Sequence, residues 1–185
     1  MHGRFFLPMG LASFACIASL SGDAEARLLR TGDPSVSFTA LGPGGLKIVG
    51  TTSELTLADD AASVSVAVPL ANLSTGISLR DRHMREKYLQ VQTYPYATLK
   101  VDRAGMRFPA PGTETTADAQ GTMAIHGQTH PVTFHYTVRR DGAGYSVSGS
   151  VRINMKDYGI DVPSYLGVTV KPDVDVAVRF AAMEG

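Results

Sequence analysis

Tryptophan is absent, cysteine occurs once, and the charges cancel: 17 Lys and Arg stand against 17 Asp and Glu in 185 residues. Each shortage removes a class of function. A single cysteine builds neither an internal disulfide framework nor a metal site of two or more thiolates. A neutral chain lacks the surplus of Lys and Arg that nucleic-acid backbones select, so no nucleic-acid partner is expected. No HExxH, GxSxG or Walker pattern occurs, so the metalloprotease, serine-hydrolase and P-loop signatures are missing. What is present is an ordinary folding composition, 44% hydrophobic and 18% charged, too apolar for a disordered chain.

The longest apolar stretch, Phe5 to Leu20, follows His2 and Arg4 and precedes Ala24-Glu25-Ala26. A basic start, an apolar run and a small-x-small site are the parts of a secretory signal peptide. The run contains Pro8 and Gly10 and is shorter than the roughly 20 residues a membrane-spanning helix needs. Residues 1–26 are therefore expected to be a cleaved signal peptide, and 27–185 a single exported domain with no stable membrane insertion. Cleavage removes Cys16. The alternative, Cys16 as a lipid anchor, has the poor lead-in Ser13-Phe14-Ala15.

Beyond residue 26 the dominant period is two. Val36, Phe38 and Ala40 alternate with Ser37 and Thr39, and Val64, Val66, Val68 and Leu70 with Ser65, Ala67 and Pro69. The same holds for Ala97–Val101, for Met123 and Ile125, and for Val132, Phe134, Tyr136 and Val138. It holds again for Tyr145–Ile153 and Val174–Phe180, and less cleanly for Leu46 and Ile48. One apolar and one polar face is the mark of antiparallel strands wetted on one side. About eight such runs predict an all-β domain, a closed barrel or a sandwich. Pro109 to Ala119 reads as a polar loop. One segment breaks the period: Ser78 to Gln90, SLRDRHMREKYLQ, is charged and free of Gly and Pro. Ser78 with Asp81 resembles a capping box, and Ile77, Met84, Tyr88 and Val91 form one stripe, so a short amphipathic helix lying on the β-structure is expected.

Three strings together resemble a known family. Thr75-Gly76-Ile77-Ser78-Leu79-Arg80-Asp81-Arg82-His83-Met84-Arg85-Glu86-Lys87-Tyr88-Leu89, followed by Tyr94-Pro95, resembles the hallmark segment of the YceI-like family. Ile125-His126-Gly127-Gln128-Thr129-His130-Pro131-Val132 and Asn154-Met155-Lys156-Asp157-Tyr158-Gly159-Ile160 resemble its second and third motifs. The resemblance covers roughly residues 33 to 181. It implies an extended, lipocalin-like antiparallel β-barrel, exported to the periplasm, that binds a polyisoprenoid or similar long-chain amphiphile and forms a homodimer in some members. No cofactor and no catalysis are expected. The chain departs from the family at Asp33-Pro34-Ser35, where many members carry a His-Ser pair.

On this reading the ligand chain meets Phe38, Val66, Val68, Met84, Tyr88, Leu99, Met123, Phe134, Tyr136, Val151 and Ile153. Arg82 and Arg85 are the head-group candidates, since a guanidinium fork matches phosphate or carboxylate oxygens. His126, His130 and His135 invite a zinc reading, but His126 and His130 flank a turn and His126 and His135 have polar-face parity, so no metal site is expected. Asp157 is expected to pair with Arg80, Arg82 or Lys156 for structural reasons. Two other functions stay open: a filled barrel whose surface binds a partner, and an accessory enzyme acting on a bound hydrophobe.

Overall fold

The alternating runs become strands because each buries every second side chain, and β-branched residues fill the inward positions. The computed structural model describes residues 27–60, 62–165 and 168–185; the expected signal peptide lies outside them. In chain order the strands are β1 (Leu28–Leu41), β2 (Lys47–Thr52), β3 (Thr56–Asp59), β4 (Ser63–Pro69) and β5 (Tyr96–Asp102). Then follow β6 (Glu114–Ile125), β7 (Gln128–Asp141), β8 (Gly144–Asn154), the short pair β9 (Ser164–Tyr165) and β10 (Val168–Thr169), and β11 (Asp173–Glu184). Nine of them form one antiparallel sheet in the order β2-β1-β11-β8-β7-β6-β5-β4-β3.

That sheet curls into a half-barrel. Its far edges approach through β1, whose second half pairs with β2 while its first residues reach β3. There the Leu28 N–H donates to Asp59 Oδ2 at 3.0 Å, and Arg103 forms an ion pair with the same carboxylate, whose side chain is fully buried. Closure at this seam rests on a side chain, since no ladder joins β1 to β3 among the described residues.

All eight expected strands are present, and three further ones are added. The four-residue β3 was hidden because Thr56–Asp59 is too short to display a period. Pro109–Ala119, expected as a loop, is corrected in its second half: β6 begins at Glu114 and pairs with β7 from Glu114↔Arg139 to Ile125↔Gln128. The inward residues there, Thr115, Ala117 and Ala119, are small or polar, so they carry no hydrophobic signal.

Gly50 marks the closest approach inside the sheet. It lies opposite Phe38, and a Cβ built on it would sit 2.1 Å from Phe38 Cε1. The aromatic ring fills the space the missing side chain leaves. Gly50→Ala is expected to displace that ring and cost about 1–3 kcal/mol, read as a fall in the urea midpoint at unchanged m-value. An unchanged midpoint would show that the ring turns aside freely.

Candidate functional site

The inward face divides into three tiers. One end of the barrel is packed by Leu28, Val101, Ala119, Phe134, Tyr136, Val138, Tyr145 and Ala182. The other is packed by Ala40, Met123, Ile125, Ile153, Met155, Tyr158, Ile160 and Val174. Leu99 and Val151 touch both clusters.

Between them lies a waist with a different character. On β8, Tyr145 and Ile153 are buried while Val147, Gly149 and Val151 are only half-buried. On β11, Val174 and Ala182 are buried while Val176, Val178 and Phe180 are half-buried. On β4, Val66 and Val68 are half-buried between buried Val64 and Leu70. In a filled barrel the middle of each inward row is its most buried part, because it is farthest from both mouths. On these three strands the middle retains accessible apolar surface, whereas on β7 the inward Phe134 and Tyr136 are buried, Tyr136 directly opposite Gly149. The waist is thus incompletely filled along β4, β8 and β11 and walled by aromatic rings on β7. Register ties these positions into rows: Phe38 opposes Val176, which opposes Val151, and Val66 opposes Leu99, which opposes Met123.

The end nearest Tyr145 is roofed by the segment after β5. Met106 and Phe108 pack on the first cluster, and the Arg107 N–H donates to the Tyr136 hydroxyl at 2.7 Å. The Arg103 guanidinium lies 4.9 Å from the Phe108 ring centroid, and that of Arg140 lies 5.2 Å from the Tyr145 ring. Above them an open depression of about 570 Å³ is lined by Arg103, Met106, Phe108, Arg140, Tyr145 and Glu184. Burial, then the hydrogen bond to Glu184 Oε1 at 2.5 Å and its charge, push the Tyr145 phenol up to about 12. Glu184→Gln is expected to bring that value down while burial holds it above 10, followed by the Tyr145 ring signal in a pH titration. A value that does not move would assign the whole shift to burial.

At the opposite end the hallmark segment forms α1 (Ser78–His83) and then a single π turn over Met84–Tyr88, where Leu89 N–H reaches Met84 O at 2.8 Å. The widened turn lets Tyr88 and Leu89 both pack against the second cluster. This is a shorter α-helix than Ser78–Gln90. Asp81, expected in a capping box with Ser78, instead turns back to the preceding loop. It accepts the Thr75 N–H and the Ser74 hydroxyl, each at 2.7 Å, and the Thr75 hydroxyl. Burial alone would raise its pKa, but these donors outweigh burial and hold it below the ordinary 3.8. Arg80 binds Thr75 through Nε to Oγ1 at 2.7 Å and Nη2 to the carbonyl at 2.9 Å. The most recognisable string in the chain is thus a loop lock.

The expected contact residues all lie on this interior or its rim. Met123 and Ile153 are buried in the second cluster and Phe134 and Tyr136 in the first, with Met123 in register with Leu99 and Tyr136 with Gly149. Phe38, Val66, Val68, Leu99 and Val151 line the waist, while half-buried Met84 and Tyr88 belong to the π turn. Val147, Val176, Val178 and Phe180 line the waist too; their alternation was legible, but nothing in it separates waist from end. Arg82 is exposed, and Arg85 donates from Nη1 to the Ala71 carbonyl at 2.9 Å. The two do not line the depression at the Tyr145 end.

The three histidines diverge. His126 is not on a strand's polar face. With φ of 52° and Gly127 at 75° it forms the two-residue β6–β7 turn, which demands positive φ at both positions. Its ring packs on Tyr94 with centroids 4.6 Å apart, and Nδ1 lies 3.1 Å from the Tyr158 carbonyl oxygen. His126 Nε2 is buried without a hydrogen-bond partner among the described residues. His130 meets Tyr158 edge-on, and exposed His135 pairs with Asp118 at 2.8 Å. Asp157 is exposed and, among the described residues, forms no ion pair, so its expected pairing with Arg80, Arg82 or Lys156 is corrected.

A family model described as YceI-like domain matches residues 32–182. The chain belongs to the YceI-like family. A UPF0312 protein of Pseudomonas putida strain W619 is 30% identical over 129 residues, 63% of this chain and 62% of the relative. A UPF0312 protein of Pseudomonas syringae pv. tomato is 29% identical over 125 residues, 62% of this chain and 61% of its own. The chain thus spans about six-tenths of the length of these relatives. In fold it is similar to a polyisoprenoid binding domain from Saccharophagus degradans implicated in plant cell wall breakdown, with TM-score 0.72 and 18% identity. That match covers 86% of this chain and 99% of the other. It is also similar to Burkholderia cenocepacia BcnA, with TM-score 0.65, 19% identity and coverage of 81% and 96%. These likenesses establish that the YceI-like chain shares the antiparallel, lipocalin-like β architecture.

Proposed function

We propose that this YceI-like protein binds one polyisoprenoid or similar long-chain amphiphile inside its barrel and carries it across the periplasm, without catalysing a reaction on it. One observation carries the reading: along β4, β8 and β11 the inward aliphatic residues stay accessible at mid-strand while those on either side of them are packed. A hydrophobic chain gains about 0.8 kcal/mol per buried CH2 and needs no specific polar partner. Such a site measures length and width and discriminates weakly among apolar chains. The chain is proposed to lie against Phe38, Val66, Val68, Leu99 and Val151, with the buried Met123, Phe134, Tyr136 and Ile153 as the walls around it. Met84 and Tyr88 then border the end at which the polar group leaves, beside Arg82 and Arg85. The fold shared with the Saccharophagus polyisoprenoid binding domain supports this choice of cargo class, and the expected signal peptide supports export.

Native mass spectrometry of the processed protein, purified from the envelope that exports it, tests the proposal. One long-chain lipid per barrel is the expected result. Bare protein that also takes up no added prenyl or fatty chain would overturn the proposal in favour of a surface-binding role.

A further inference from the structure

Two large aliphatic residues of the hallmark segment contribute nothing to the interior. Ile77 is 54% and Leu79 55% exposed, although the Ile77–Met84–Tyr88 stripe of the sequence predicts Ile77 on the packed face. They sit at the start of α1 on a loop that is held stiffly by Asp81 and Arg80 through Thr75, and by Arg85 through Ala71. Exposure therefore follows from a fixed backbone. The same segment carries exposed Arg82 and Lys87, besides Arg80 and Arg85, which are engaged with Thr75 and Ala71, against Asp81 and Glu86. Asp81 is buried and engaged with Ser74 and Thr75, so the acid that faces outward in this segment is Glu86.

We propose that Ile77 and Leu79, with the surrounding cations, are a docking surface for an anionic phospholipid bilayer. The pairing of aliphatic side chains with Lys and Arg matches what a lipid interface offers: acyl carbon below and negative headgroups above. Arg82 and exposed Lys87 meet the headgroups, while Ile77 and Leu79 enter the boundary beneath. The opposite side of the same segment, through Tyr88 and Leu89, packs on the barrel end, so docking presents that end of the barrel to the bilayer. The inference goes beyond cargo binding and does not need it, because vesicle binding and lipid recovery are separate readouts.

The test is co-sedimentation of the exported protein, expressed from the full chain, with phosphatidylglycerol–phosphatidylcholine vesicles and with phosphatidylcholine vesicles. Binding to the anionic vesicles that weakens with salt is expected. Ile77→Ser/Leu79→Ser and, separately, Lys87→Glu are each expected to lower the partition coefficient roughly tenfold. Ile77→Ser/Leu79→Ser leaves the melting temperature unchanged, since these side chains are exposed; Lys87→Glu gives up the Lys87 Nζ contact 5.3 Å from the Tyr88 ring centroid and lowers it slightly. Absence of vesicle binding, equal binding to both compositions, or variants that bind like the parent would overturn the proposal. A dimer in sedimentation velocity that Ile77→Ser/Leu79→Ser dissolves, without vesicle binding, would assign the surface to a second copy instead.

Discussion

Val66→Phe/Val151→Phe is expected to abolish lipid binding and leave the fold intact. Both positions are half-buried on the inward face, and both lie in rows whose ends are sealed. Each added ring occupies room that about three or four chain carbons would use. At about 0.8 kcal/mol per buried CH2 this removes about 3 kcal/mol per ring, roughly a hundredfold in affinity. The same substitutions in a filled interior would overpack it and cost about 1–3 kcal/mol each in stability. The two measurements thus separate the alternatives. Lost uptake of a fluorescent prenyl probe with an unchanged or raised melting temperature is the expected outcome. A large fall in melting temperature would mean that the waist is already occupied by side chains.

Asp81→Asn is expected to destabilise the protein by about 2–4 kcal/mol, the range for breaking a buried network of charge-assisted hydrogen bonds. The asparagine has one acceptor oxygen where the carboxylate has two, so donors from Ser74 and Thr75 are left unmatched. The pH dependence has a defined sign. The folded pKa of Asp81 lies below 3.8, so its contribution is present above the ordinary carboxylate pKa. It is lost as pH falls from about 4 through the lower folded value. Urea unfolding of the parent across pH 2 to 6 is expected to show this loss on its acid limb, and Asp81→Asn to flatten it. Parallel acid limbs in the two proteins would place the acid-sensitive carboxylate elsewhere, with Asp175, held low by Arg152, as the next to examine.

The sheet was legible because its inward positions are β-branched and its outward ones polar, as in Val174, Val176 and Val178 against Asp173 and Asp175. Legibility failed wherever the inward residue is small or the strand short. The first half of β6 presents Thr115, Ala117 and Ala119 inward, and β3 has four residues. The hallmark segment was recognisable as a string, but its physics was not. Asp81 bonds to Thr75 through a backbone N–H, and no residue pattern announces a backbone donor. Ile77 fits the helical stripe in spacing yet lies at the N-cap, outside the helix, where the stripe no longer applies. Strand parity puts His126 on the polar face, but parity ends at the turn that the residue itself makes. The proposed contact residues are legible as one face, while which of them are buried and which stay accessible depends on how far the sheet curls. Curvature is a property of the whole barrel, not of any one strand.

Intermolecular nuclear Overhauser contacts between a bound prenyl chain and the protein's methyl groups test most directly whether the waist is the container. Contacts to Val66, Val68, Leu99, Val151, Val176 and Val178 are expected, with the lipid shielded from water. Contacts confined to Ile77 and Leu79 on the outer surface, with no waist methyl involved, would contradict an interior site.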